Sequence, residues 1–383
     1  MSWLFSKIKG DGQIWLIVLL LTIFSVMVVY SSTGSLAYVK HSGNTEYYLF
    51  RQLVFIILGL LFMFGAHKIN YIYYSRIAQL LVWVSIPLLL LTYLFGPSIN
   101  EAKRWLFLPG TNLTFQPSDF AKLAIIMYLA RFLSKKQDVI KDFKKTFLPM
   151  IIWVLITCII IAPSDLSTAL LIFVSSVFIM FIGRVSIKHI SLFIFGTAII
   201  TFLGIFLAIQ LNAPGRIGTW ESRISNYMSD DSEISYQVQQ SKIAIAKGEL
   251  FGSGPGHSRQ KNFLPNPYSD FIYAIIIEEW GLIGGVFIIF IYLYLLFRSI
   301  RIVIKSPNAF GALLAAGLSI SLVLQAFINM SVATNLLPVT GLTLPLVSMG
   351  GSSVLFTSIS LGIIISVSKN IEDNVESTEK QLA

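Results

Sequence analysis

Residues 251–285 read FGSGPGHSRQKNFLPNPYSDFIYAIIIEEWGLIGG. The stretch opens as a glycine-rich polar loop that carries Arg259 and Lys261, and it continues as a long apolar helix. The apolar run from 269 to 297 is long enough to cross a bilayer. One carboxylate, Asp270, sits at the join, and Glu278 and Glu279 lie further into the run. Acids inside a membrane-length segment are costly and mark functional sites by default. For Glu278 and Glu279 a second reading stands beside that one: they tie neighbouring helices together through hydrogen bonds. Asp270, at the helix mouth beside a basic loop, reads as functional.

The rest of the chain has the same character. Hydrophobic residues make up 55% of the 383 and charged residues 12%, which describes a polytopic membrane protein. Ten apolar runs are long enough to span: 13–32, 49–67, 76–96, 118–134, 147–163, 165–183, 189–211, 269–297, 308–330 and 342–368. The fold class is therefore all-α, with about ten transmembrane helices and one long loop, 212–268, before the eighth. The chain reads as one membrane domain over 1–383, with 1–12 and 369–383 as its terminal segments. The first run is followed by small residues at 31–37 but exceeds a signal-peptide core in length, so it reads as an uncleaved helix.

The formal charge of +9 does not indicate a nucleic-acid binder. The basic residues sit in short loops between apolar runs, as in membrane proteins generally. With the N-terminus in the cytoplasm, 17 lysines and arginines face inward and 10 outward. Six of the ten lie in the long loop, where the rule carries little weight, and setting them aside leaves 17 against 4. Both termini are thus expected in the cytoplasm and 212–268 outside. The lone Cys158 excludes an intramolecular disulfide, and the four histidines show no metal-binding spacing.

Three further segments carry candidate chemistry. Residues 97–117 hold Lys103-Arg104-Trp105 and lead into Gln116-Pro117-Ser118-Asp119, with Lys122 one turn on. Pro117 suits the first turn of a helix, and Gln116 or Ser118 suits its free N–H groups. Asp119 and Lys122 share a face, either as a local pair or with Lys122 lining a polar cavity. Within the long loop, 234–249 reads as an amphipathic helix with Val238, Ser241, Ile245 and Gly248 along one stripe. Gly252, Gly254 and Gly256 form a flexible turn that gains a pyrophosphate reading from Arg259 and Lys261 beside it. Lastly, 338–353 is a spanning segment broken by two prolines and three glycines, which places Ser348, Gly350 and Gly351 on a candidate substrate wall. Gly281 and Gly285 read as a helix-packing pair.

Taken together, these residues carry a resemblance. Lys103-Arg104-Trp105, Gln116-Pro117-Ser118-Asp119-x-x-Lys122, Gln240–Ile245, Gln260-Lys261-x-x-Leu264-Pro265, Ser269-Asp270-Phe271-Ile272, Glu278-Glu279-x-Gly281 and Gly341–Ser353 resemble the SEDS family (shape, elongation, division and sporulation) along nearly the whole chain. The resemblance implies a peptidoglycan glycosyltransferase that polymerises lipid II at the outer face of the bacterial cytoplasmic membrane. It also implies a class B penicillin-binding protein as transpeptidase partner, together with other divisome proteins. The family's essential carboxylate falls on Asp270; Asp119, Lys122, Arg104, Arg259, Lys261, Ser348, Gly350 and Gly351 become its candidate substrate contacts. Gly341-Leu-Thr-Leu-Pro and Ser258–Lys261 look more like the septal FtsW branch than the elongation branch of RodA. A divalent cation, Mg or Mn, is an expected helper without a dedicated site in the sequence. Two other classes fit parts of the pattern, a lipid II flippase and a scaffold that activates the transpeptidase. The chain departs from the family at Tyr268 (histidine), Asn266 (glutamate), Asp119 (glutamate) and Met349 (tyrosine), and Pro163–Thr168 carries an extra residue and no glycine.

Overall fold

The computed structural model describes residues 9–34, 36, 38, 44–99, 102–107, 114–210 and 236–382. Lys7, Lys40, Arg216, Arg223 and the 212–235 part of the long loop lie outside these residues. Eleven α-helices are found among the described residues: α1 Gly12–Ser32, α2 Thr45–Lys68, α3 Tyr71–Phe95, α4 Pro117–Lys135, α5 Leu148–Ile161, α6 Leu166–Ile182, α7 Ile187–Gln210, α8 Tyr236–Gly248, α9 Ile272–Lys305, α10 Ala309–Ala333 and α11 Ser352–Leu382. Each of the ten expected spans falls on one of them, and α8 is the helix expected inside the long loop. The all-α polytopic class is what the chain adopts.

Seven segments are long and apolar enough to cross a membrane by themselves; α4 is too charged, and α6 and the apolar part of α7 are shorter. Local chemistry starts several helices. Asp11 caps α1 by accepting from the amides of Gln13 and Ile14, Asn44 caps α2 and Asp165 caps α6, each cap contributing about 1 kcal/mol. Pro117 opens α4 as expected, but neither expected side-chain cap forms: Gln116 Nε2 donates to Ser118 Oγ at 2.9 Å instead. Two short hairpins, β1 Ser98–Ile99 with β2 Ala102–Lys103 and β3 Leu106–Phe107 with β4 Thr114–Phe115, occupy the segment before α4.

By contacts the chain forms two units, each drawn from separate stretches of the sequence. The first contains Met1–Tyr71, Asp231–Ser306 and Leu322–Ala383. Its central packing is α11 along α2, made close by small residues: a Cβ on Gly362 would lie 2.4 Å from the Met63 carbonyl oxygen. Helices α1 and α9 are tied near both of their ends. Glu279 accepts from Ser31 Oγ at one end, and Arg298 Nη2 meets Asp11 Oδ2 at 2.6 Å at the other. The second unit contains Ile72–Asp230 and Pro307–Ser321, in which α6 packs against α4 and α5.

Candidate active site

Asp270 lies two residues before α9, partly buried. Its Oδ1 accepts from Ser269 Oγ at 2.9 Å. The backbone beneath it is held unusually well. Three consecutive carbonyls accept from three donors: Tyr268 from the Met349 amide at 2.9 Å, Ser269 from Ser348 Oγ at 2.7 Å, and Asp270 from Asn329 Nδ2 at 2.9 Å. The segment carrying the acid is thus fastened to α10 and to the broken stretch before α11.

That stretch, residues 337–351, is not helical, and α11 begins at Ser352 rather than at the 342 expected from apolarity. Irregular backbone at membrane depth must find partners inside the protein. Here helices of the same unit supply them. Asn329 Nδ2 reaches the Leu342 carbonyl at 2.7 Å and Gln325 Nε2 that of Thr343 at 2.9 Å. Tyr292 Oη donates to Pro345 and Ser25 Oγ to Val347 at 2.9 Å, with Gln52 Nε2 donating to Ser25 Oγ behind it. Leu346 is held at φ +62°, a left-handed conformation for a branched residue, and this web of bonds is what sustains it. Ser348 is buried and its hydroxyl is occupied: it donates to Ser269 and accepts from the Leu344 amide at 2.8 Å. Ser348 therefore supports the segment rather than presenting a hydroxyl to a ligand. Gly350 and Gly351 are partly exposed at the end of the stretch, with Gly351 at φ +52°.

The glycine loop is organised by the two buried glutamates. Glu278 accepts from Ser258 Oγ, from the Arg259 amide at 3.0 Å and from the Gln260 amide at 3.2 Å. Glu279 accepts from Ser31 Oγ and from the Ser258 amide. The hydrogen-bonding reading of this pair is the one their geometry follows. Amides of the glycine run hold the loop to the helix and to its own start: Ser253 and Gly254 donate to the carbonyls of Glu278 and Glu279 at 2.9 and 3.0 Å, and Gly252 donates to Gly248 at 2.8 Å. Gly281 is more than a packing glycine. It sits at φ +71° and ψ −176°, a conformation close to glycine-only, and breaks α9. A Cβ there would lie 2.2 Å from the Leu250 carbonyl oxygen, so the loop enters where the helix opens. The cations are carried on this frame: Arg259 is exposed, and Lys261 Nζ donates to the Gly256 carbonyl at 2.8 Å. In α8 the buried stripe is Val238, Ser241, Ala244 and Gly248, with Ala244 in place of the expected Ile245.

The second unit holds the remaining candidates. Arg104 Nε donates to the Ser164 carbonyl at 2.8 Å, and its Nη1 lies 3.3 Å from Asp165 Oδ2. These residues line a small cleft with Lys103, Tyr93 and Ser118. Lys122 Nζ stands 3.6 Å from Asp119 Oδ1, both buried, so the local pair, one of the two readings of this helix face, is present. Among the described residues no three of His, Cys, Asp or Glu are grouped to cage a metal.

A family model described as a cell cycle protein, FtsW/RodA/SpoVE, matches residues 12–373. This chain belongs to that family. "Probable peptidoglycan glycosyltransferase FtsW" of Geobacter sp. (strain M18) is 35% identical over 94% of this chain and 98% of that protein. "Stage V sporulation protein E" of Bacillus subtilis (strain 168) is 35% identical over 95% and 98%. A solved structure described as "Structural coordination of polymerization and crosslinking by a peptidoglycan synthase complex" is 25% identical, with a TM-score of 0.74, and covers 94% of this chain and 98% of that one.

Tyr268 is one of the positions at which the family resemblance implies another side chain. Burial, then the neighbouring Tyr48 and Asp270, push its phenol above its ordinary range, so it stays protonated near neutral pH and donates to Asn266 Oδ1 at 3.0 Å. Asn266 is another such position, so two residues read as departures bond to each other. Sequence reading missed Asn329, Gln325, Tyr292 and Ser25. The signal available was a polar residue inside an apolar run, with Gln325 and Asn329 spaced i, i+4 on one helix face.

Proposed function

We propose that this FtsW/RodA/SpoVE protein is a peptidoglycan glycosyltransferase that polymerises lipid II at the outer face of the bacterial cytoplasmic membrane, in septal wall synthesis. The observation that carries the reading is the placement of Asp270. It is an acid at the mouth of a membrane helix, on backbone pinned at three consecutive carbonyls. Asp270 takes the proton of the acceptor sugar hydroxyl as that oxygen attacks the anomeric carbon of the donor. The bond from that carbon to the pyrophosphate breaks, and undecaprenyl pyrophosphate leaves with the electron pair. Attack from the face opposite the phosphate inverts the configuration and yields a β-linked strand. General-base assistance of this kind is worth about 10²–10⁴-fold. Arg259 and Lys261 balance charge on the leaving group, and Gly350 and Gly351 offer backbone to the sugar. Arg104, Asp119 and Lys122 are substrate contacts by family resemblance. The partner is a class B penicillin-binding protein within the division machinery, and both termini lie in the cytoplasm.

The deciding experiment incubates the purified protein with lipid II, with and without its partner, and looks for glycan strands. Lipid II translocation without strands would favour a flippase. Strand synthesis that needs only the partner would favour a scaffold. Topology is tested by replacing Cys158 and introducing cysteine at Asn262 or Lys136. An impermeant thiol reagent is expected to label Asn262→Cys in intact cells, and labelling of Lys136→Cys from outside would reverse the orientation.

A further inference from the structure

We propose that Asn329, with Ser348, positions the Asp270 carboxylate for catalysis; this rests on the reading of Asp270 as the base. Asn329 is buried to 1% exposure in α10, 59 positions from Asp270 in sequence. Its amide bridges two backbone carbonyls, that of Asp270 at 2.9 Å and that of Leu342 at 2.7 Å. The amide can only be oriented one way: flipped, its oxygen would oppose both carbonyls. Its Oδ1 meets no donor among the described residues, so the side chain is held by its donor end alone. Ser348 performs the same office one residue earlier, on the carbonyl of Ser269, whose hydroxyl donates to the Asp270 carboxylate. The acid is therefore referenced to the broken segment through two bonds that do not touch the carboxylate. No helical ladder fixes this backbone, since α9 begins only at Ile272. Without the two donors, of the three carbonyl bonds at 268–270 that from the Met349 amide remains, beside the local bond of the Ser269 amide to the Asn266 carbonyl at 3.1 Å. A base must sit within hydrogen-bond reach of the proton it removes, and a displacement of about 1 Å costs on the order of 100-fold.

The test measures kcat and KM for strand synthesis from lipid II with purified Asn329→Ala, Asn329→Asp, Ser348→Ala and Ser348→Thr, each normalised to the folded fraction. Tyr292→Phe serves as the comparison, because it releases the Pro345 carbonyl of the same broken segment without touching residues 268–270. The Asn329 variants and Ser348→Ala are expected to lose about 100-fold in kcat with KM held within about threefold. Ser348→Thr keeps the hydroxyl and is expected to recover most of the rate. Tyr292→Phe is expected to keep kcat within about threefold of the parent. If the Asn329 variants do not fold, Ser348→Ala against Ser348→Thr decides. The inference is overturned if Asn329 and Ser348 variants lose no more kcat than Tyr292→Phe, or if the loss lies in KM. Asp270→Asn is run alongside. If it is inactive while the Asn329 and Ser348 variants turn over normally, this inference alone falls; if it polymerises at the parent rate, the reading of Asp270 falls first.

Discussion

The two acidic sites of α9 and its approach differ in what holds them in place. At 278–279 the carboxylates themselves are occupied. They accept hydroxyl and amide donors from Ser31, Ser258, Arg259 and Gln260, and so fold the glycine loop against the helix. At 270 it is the main chain that is fastened, while the carboxylate, partly exposed, accepts from its neighbour Ser269. A buried carboxylate surrounded by donors is a structural centre. A carboxylate whose main chain is fastened at consecutive carbonyls is one whose position the fold fixes. Acid content in a span therefore does not identify chemistry; the partners of the oxygens do.

The contrast is broken most directly at Asp270. Asp270→Asn keeps the shape and removes the basicity. Expression and thermal stability are expected to stay at parent values while strand synthesis falls by about 10²–10⁴-fold. Parent-level synthesis in an assay free of other polymerases would move the search to Asp119, Glu278 and Glu279.

A third acidic site, in the second unit, sharpens the comparison. If Asp119 and Lys122 only pair, Lys122→Ala strands a buried carboxylate at a cost of about 3–5 kcal/mol, and changing both to alanine restores function. The expected result follows from Lys122 as a substrate contact: synthesis is lost in Lys122→Ala and stays lost in the double variant, with membrane insertion normal. Recovery in the double variant would take Lys122 off the site.

Glu278→Gln probes the opposite end of the contrast. It puts a donor among groups that already donate, and each charge-assisted bond weakened contributes about 1.5–3 kcal/mol. The melting temperature in detergent is expected to fall, while kcat per folded molecule stays within severalfold. A fall in kcat at unchanged stability would make Glu278 chemical rather than structural.

The smallest effects belong to the glycines beneath the loop. Gly281→Ala meets both a glycine-only conformation, costing about 1–3 kcal/mol, and the Leu250 carbonyl 2.2 Å from the new methyl. Gly254→Ala, at φ +95°, meets only His257 Nδ1 at 3.4 Å and is expected to cost about 1 kcal/mol. Equal destabilisation by the two, read by thermal unfolding, would contradict the close approach of loop and helix at Gly281.

Much of the architecture was legible in the amino acids alone. Ten helices were readable because apolar runs are a local property, and seven segments are long and apolar enough to match the thickness of a bilayer by themselves. Asp270 was legible for a similar reason, as the acid at the seam between a polar loop and an apolar run. Helix α11 begins ten positions after its apolar run does, because residues 342–351 are apolar without being helical. Apolarity reports burial, whereas helicity there depends on whether side chains elsewhere satisfy the carbonyls. Those side chains lie far away in sequence: Ser25 is 322 positions from Val347, and Ser348 is 79 from Ser269. The roles of Glu278, Ser348 and Asn329 were decided only in three dimensions, because a hydrogen bond needs its donor within about 3 Å of its acceptor and no pattern along the chain encodes that distance.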